Sequence, residues 1–226
     1  MKNVVLAAVL LTGAIAHAQT TAPAPAPATT QPVGKLPFID VNVKHKTVRV
    51  ECEALRVQVP LEFFACVAGG PEHEAVVRTK ARPSHLHLAL VMLGLEPGRG
   101  VHYDEASKKW VEPSGPQLKL SVEFEKDGKL QKLGANELMR DIKTKTAMPA
   151  DARWVFTGSK IMPDKTYGAD RLGYLISIVN FELAPIDTPK LASNKDNTLE
   201  WQLNSDVAPE AGTKVTLIIE PADPQK

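Results

Sequence analysis

The 226-residue chain lacks most of the signals that announce a chemistry. It has two cysteines, Cys52 and Cys66, and two thiolates cannot supply the four ligands of an ordinary iron–sulfur cluster. It has no excess of either charge: 27 basic residues stand against 26 acidic ones. No run of one sign forms the basic patch that nucleic acid or an anionic membrane attracts. No GxSxG, P-loop or GxGxxG occurs in its proper context, so serine hydrolysis, nucleotide binding and dinucleotide binding lack support. Paired CxxC and HExxH zinc patterns are missing too. Beyond the first residues, no stretch approaches the ~20 consecutive apolar residues of a spanning helix. No internal repeat is visible.

What is present begins with MKNVVLAAVLLTGAIAHAQT. A basic start, an apolar run from Val4 to Ile15 and the small-x-small triplet Ala16-His17-Ala18 make a secretory signal peptide, cut before Gln19. TTAPAPAPATTQPVG follows, and alternating Ala and Pro cannot pack a core. The expected organisation is a signal peptide at 1–18, a disordered Ala/Pro/Thr-rich tether at 19–34, one domain at 35–221 and a short tail at 222–226. The expected location is the periplasm or the medium.

Within the domain the dominant period is two. TVRVECE (47–53), QLKLSVEFE (117–125), TLEWQLN (198–204) and TKVTLIIE (213–220) alternate apolar and polar residues, as half-buried antiparallel strands do. LEFFACVA (61–68) and LGYLISIVNF (172–181) are almost continuously apolar, as strands covered on both faces are. Asp127-Gly128 marks a hairpin. One segment breaks the pattern. PSHLHLALVML (83–93) opens on proline, ends before Gly94 and predicts a three-turn helix with Leu86, Ala89, Leu90 and Leu93 inward. A second short helix is expected over 135–142, and a long surface connection over 182–198. The fold class is α+β and β-rich, mainly antiparallel sheet with the main helix packed on it. Trp154, Phe156, Tyr174, Phe181 and Trp201 read as core. Asn194-Lys195-Asp196-Asn197 reads as a polar turn, because it lacks the glycine and distal glutamate of a calcium loop.

The chemistry-bearing residues crowd into 65–90, ACVAGGPEHEAVVRTKARPSHLHLAL. Cys52 and Cys66 are symmetric about Val59, next to Pro60. A hairpin turning there brings the cysteines together, as a disulfide or as two buried free thiols. His73 and Glu74 are either a solvated strand entry or part of a loop that lets ligands converge. On a helix, His85 and His87 diverge by two positions, so one ion does not take both. A metal site needs three or four convergent ligands. The candidates are Cys66, His73, Glu74 and His87, with His73, Glu74 and His87 as the set for a divalent metal. A cysteine hydrolase would use Cys66 with a histidine base and Glu74. However, FFACVA reads as mid-strand, not as the exposed electropositive ledge of a reactive thiol.

LEFFAC, EHEAVV, HLALVMLGLEPG, WVFTGS and the late NF together resemble the YdjY-like domain of exported bacterial proteins, over roughly residues 38–221. Cys66, His73, Glu74 and His87 match its polar positions. Ala75 stands where that pattern has serine, and Cys52 lies farther from the turn than the pattern's second cysteine. The resemblance implies a fold and adds weight to the His73/Glu74/His87 cluster. It implies no reaction. The expected function is a non-catalytic exported module that binds an unknown ligand or protein. The alternative is a metal-binding protein or enzyme using the four-residue cluster.

Overall fold

The computed structural model describes residues 36–193 and 198–222. The expected signal peptide and the whole tether lie outside them, as do the Asn194–Asn197 turn and most of the tail. In chain order the first strands are β1 (Ile39–Asn42), β2 (Thr47–Ala54), β3 (Phe63–Val67) and β4 (Ala75–Thr79). Helix α1 (Pro83–Met92) follows, then β5 (His102–Asp104), β6 (Lys109–Val111), β7 (Gln117–Lys126), β8 (Lys129–Gly134) and β9 (Met139–Asp141). The last elements are β10 (Trp154–Phe156), helix α2 (Gly168–Leu172), β11 (Tyr174–Ser177), β12 (Ile186–Asp187), β13 (Trp201–Leu203) and β14 (Lys214–Pro221).

Eight of these strands close on themselves in the order β2-β14-β7-β10-β12-β11-β3-β4, and β4 pairs back onto β2. The expectation of β-rich α+β structure with one main helix holds. The sheet, however, is a closed barrel and not mainly open. Eight strands leave an interior just wide enough for side chains to fill. The apolar positions of the alternating strands fill it. Val48, Val50, Leu118, Leu120, Val122, Leu217 and Ile219 are all at most 1% exposed. β1 continues outward from β2 and β8 from β7. The β7–β8 hairpin turns at Asp127-Gly128 as its sequence requires.

Helix α1 packs Leu86, Ala89 and Leu90 into the main core. Burying each leucine contributes about 2 kcal/mol. Its one open N-terminal amide is met from α2: Asp170 accepts from the Ser84 amide and hydroxyl, both at 2.7 Å, and from Arg82. Gly94, at φ 84°, ends it, and the Lys46 ammonium donates to the Leu93 carbonyl.

Three expectations are corrected. The short helix expected over 135–142 is a 3-10 helix confined to Ala135–Leu138, and the rest is β9. The 182–198 connection carries β12, which is fully buried and part of the barrel wall. The β2–β3 hairpin does not form, because β4 lies between those strands. β3 and β4 run parallel although only residues 68–74 join them. Parallel neighbours usually need a crossover of a dozen or more residues. The tight return depends on close backbone approach: a Cβ on Gly70 would lie 2.9 Å from the Val67 carbonyl oxygen.

Candidate functional site

The return between β3 and β4 carries Glu72, His73 and Glu74 as a single 3-10 turn. It is therefore a loop, the setting in which ligands converge most easily. The four sequence candidates are nevertheless not brought together. Cys66 is fully buried in a small apolar cluster with Phe63, Ala75, Leu55, Tyr174 and Phe181. His73 points to solvent with 75% of its side chain exposed, 3.7 Å from Glu74. His87 lies on α1 in a different neighbourhood. Its Nδ1–H donates to the Gly158 carbonyl at 3.1 Å and the Tyr167 oxygen at 3.0 Å, while the Tyr167 hydroxyl donates to the same carbonyl. Its ring packs edge-on to Phe156 and Tyr167. Among the described residues no three His, Cys, Asp or Glu side chains are grouped as a metal site requires.

Both cysteines are free thiols. Cys52 opposes Thr79 across β2–β4, and Cys66 opposes Arg78 across β3–β4, so one strand separates them. Burial pushes the Cys52 thiol up to about 12. Burial, with the Glu72 carboxylate adding to it, does the same to Cys66, also to about 12. Neither is a thiolate at neutral pH, and the thiolate is the nucleophile and the metal ligand.

The cavity beside this segment is a cleft of about 770 Å³. It opens where β2 changes partners: β1 pairs with residues 47–50, and β4 with 52–54. Glu51 sits in the gap. Its N–H donates to the Phe38 carbonyl at 2.9 Å, and its carbonyl accepts from the Thr79 hydroxyl at 2.6 Å. The backbone is therefore satisfied and the gap stays open. Charges alternate across the floor. Lys214 opposes Glu53, and Glu53 opposes Arg78. Arg78 bonds Glu53 at 2.6 Å and Glu72 at 2.7 Å. The Glu72 carboxylate also accepts from the Gly69 amide at 2.6 Å, and that bond, with Arg78 adding to it, holds its pKa below the usual range. With Glu51 and Lys80, the cleft has three acidic and three basic side chains. Phe38 adds a ring 40% exposed. Its φ is 63°, uncommon for a bulky residue and a strain that often marks ligand contacts.

Away from the cleft lies a buried carboxyl that the sequence reading missed. Asp187 Oδ1 accepts from Asn180 at 3.0 Å and from the Thr188 amide at 2.7 Å, while Oδ2 has no partner. Burial outweighs these bonds and raises its pKa to about 7. The reading of 182–198 as a surface loop hid it. Arg78 and Glu53 were missed for another reason. Glu53 looks like an ordinary outward residue of an alternating strand and Arg78 like a charge closing a short apolar run, and their meeting depends on β4 joining β2.

The YdjY domain family profile matches residues 39–220. No curated protein and no solved structure gives a significant match. No helix among the described residues is long and apolar enough to cross a membrane. The matched span takes in the barrel strands up to Glu220, the return loop and every cleft residue except Phe38, and so the chain belongs to the YdjY domain family.

Proposed function

We propose that this protein is an exported, non-catalytic binding module and that its ligand occupies the cleft over β2, β4 and β14. The observation that carries the reading is the Arg78 guanidinium, which lines the cleft and is fixed there by Glu53 and Glu72. A pre-positioned guanidinium with matched carboxylates costs little ordering on binding. Equal numbers of lining acids and bases disfavour a highly charged ligand. They suit an overall neutral, dipolar molecule, and the exposed Phe38 ring suits an apolar group on it. Short zwitterionic peptides combine both properties. Two withdrawn thiols argue against nucleophilic chemistry beside the cleft.

The metal-dependent alternative, built on Cys66, His73, Glu74 and His87, would need a rearrangement to draw His87 from Gly158 and Cys66 from its apolar cluster. Export rests on the signal-peptide pattern of residues 1–18. The test is calorimetric titration of the processed chain with zwitterionic peptides carrying one aromatic residue, such as Ala-Phe. Saturable binding weakened at least about tenfold in Arg78→Ala is the expected result. Equal binding by both proteins would place the ligand elsewhere.

A further inference from the structure

The β5–β6 hairpin has no part in the cleft. Its two strands pair only with each other, as a separate two-stranded sheet. Its mount is nevertheless rigid. Arg99 and Ser114 exchange both backbone hydrogen bonds at its base, and the Gly98 amide donates to the Phe156 carbonyl at 2.8 Å. A Cβ on Gly98 would lie 2.0 Å from the Ser114 oxygen, and one on Gly115 2.1 Å from the Phe156 oxygen. Three backbone segments therefore meet at a distance that only glycine permits. At the tip Asp104 accepts from the Ala106 and Ser107 amides, which keeps the turn closed.

This fixed arm presents aromatic rings to water. Tyr103 and Trp110 are directly opposed, with ring centroids 5.7 Å apart in an edge-on arrangement. They are 41% and 60% exposed. Together they leave roughly 250 Å² of side-chain surface uncovered. That is far below the roughly 800 Å² per partner of a stable protein interface. From its base to its tip the hairpin carries Arg99, Lys108 and Lys109 against Asp104, Glu105 and Glu112, so no basic excess draws it to an anionic membrane or to nucleic acid. A small, uncharged occupant with one flat apolar face and many hydroxyls fits both limits. We infer that Tyr103 and Trp110 form a platform for a sugar ring of a neutral oligosaccharide. The ring's C–H face lies on the indole, and its hydroxyls reach the Tyr103 phenol and the flanking charged groups. This reading is independent of the cleft.

The test titrates the processed chain with cellotetraose and with chitotetraose, read by tryptophan fluorescence and by the Trp110 indole N–H resonance. Binding in the range of about 0.1–10 mM is expected, weakened at least about tenfold in Trp110→Ala and in Tyr103→Ala. Trp110→Ala should melt with the parent, because that side chain is 60% exposed, and Tyr103→Ala, 41% exposed and in contact with Trp110, should still unfold in one cooperative transition. No response to either sugar up to about 20 mM, or an undiminished response in Trp110→Ala, would overturn the inference. So would Trp110-dependent sedimentation with phosphatidylglycerol vesicles, or a dimer that Trp110→Ala dissolves. Those results would give the platform to a membrane or to a second copy.

Discussion

Replacing Asp187 with asparagine should change how stability depends on pH more than it changes stability at any one pH. Asp187 is 0% exposed and its Oδ2 has no donor. Its pKa rises from an ordinary 3.8 to about 7 on folding. Between these values the folded protein holds a proton that the unfolded chain has released, so stability falls as pH rises through the window. At about 1.4 kcal/mol per unit, the folded state loses about 3 kcal/mol between roughly pH 4.5 and pH 8 from this group alone. Above the folded value both states are ionised and the loss levels off. The carboxyls held below their usual range, such as Glu72 and Asp170, act in the opposite sense and at lower pH. Asparagine removes the titration and keeps an oxygen for Asn180 and the Thr188 amide. Its NH₂ then takes the place of the unpartnered Oδ2, a cost of about 1–3 kcal/mol that does not depend on pH. Urea unfolding of both proteins across this range is the assay. The stability difference, parent minus Asp187→Asn, should fall by about 3 kcal/mol across this range and change sign between about pH 4.5 and pH 6. Parallel curves would show that Asp187 titrates normally and that the account of its burial is wrong.

Other substitutions separate the two histidines and the two helices. His87→Ala should destabilise by about 1–2 kcal/mol, since it strips the Gly158 carbonyl and the Tyr167 hydroxyl of a donor; His73→Ala should stay within about 0.5 kcal/mol in the same denaturant melt. Asp170→Ala should cost about 1 kcal/mol by uncapping α1, and hydrogen exchange at the Ser84 amide should accelerate. Both thiols should resist a disulfide reagent at neutral pH until the protein is unfolded; rapid native labelling of Cys66 would contradict its burial.

Local patterns made much of this fold legible. Alternation at 47–53, 117–125 and 213–220 located β2, β7 and β14, because a half-buried strand must show its period. Pro83 and Gly94 bracketed α1. Closure of the barrel was not legible. It depends on β12, two residues long, and on β4 entering between β2 and β3 through an unusually short parallel return. The same rearrangement explains the site. The sequence pointed to residues 65–90 as the chemically dense segment, and that stretch does border the cleft. Within it the histidines drew attention by rarity, yet His73 faces solvent and His87 supports Gly158. The charges that converge are Glu53, Glu72 and Arg78, common residue types whose partners come from three places in the chain.

The central claim is that the cleft beneath Phe38 and around Arg78 is the binding surface. Amide chemical-shift mapping of the processed chain, titrated with Ala-Phe, tests it most directly. The account predicts shifts concentrated at Phe38, Glu51, Gly69, Arg78 and Lys214, saturating together with one affinity. Shifts centred instead on His87, Gly158 and Tyr167, with the cleft amides unmoved, would contradict it and move the functional site to the surroundings of His87 on α1.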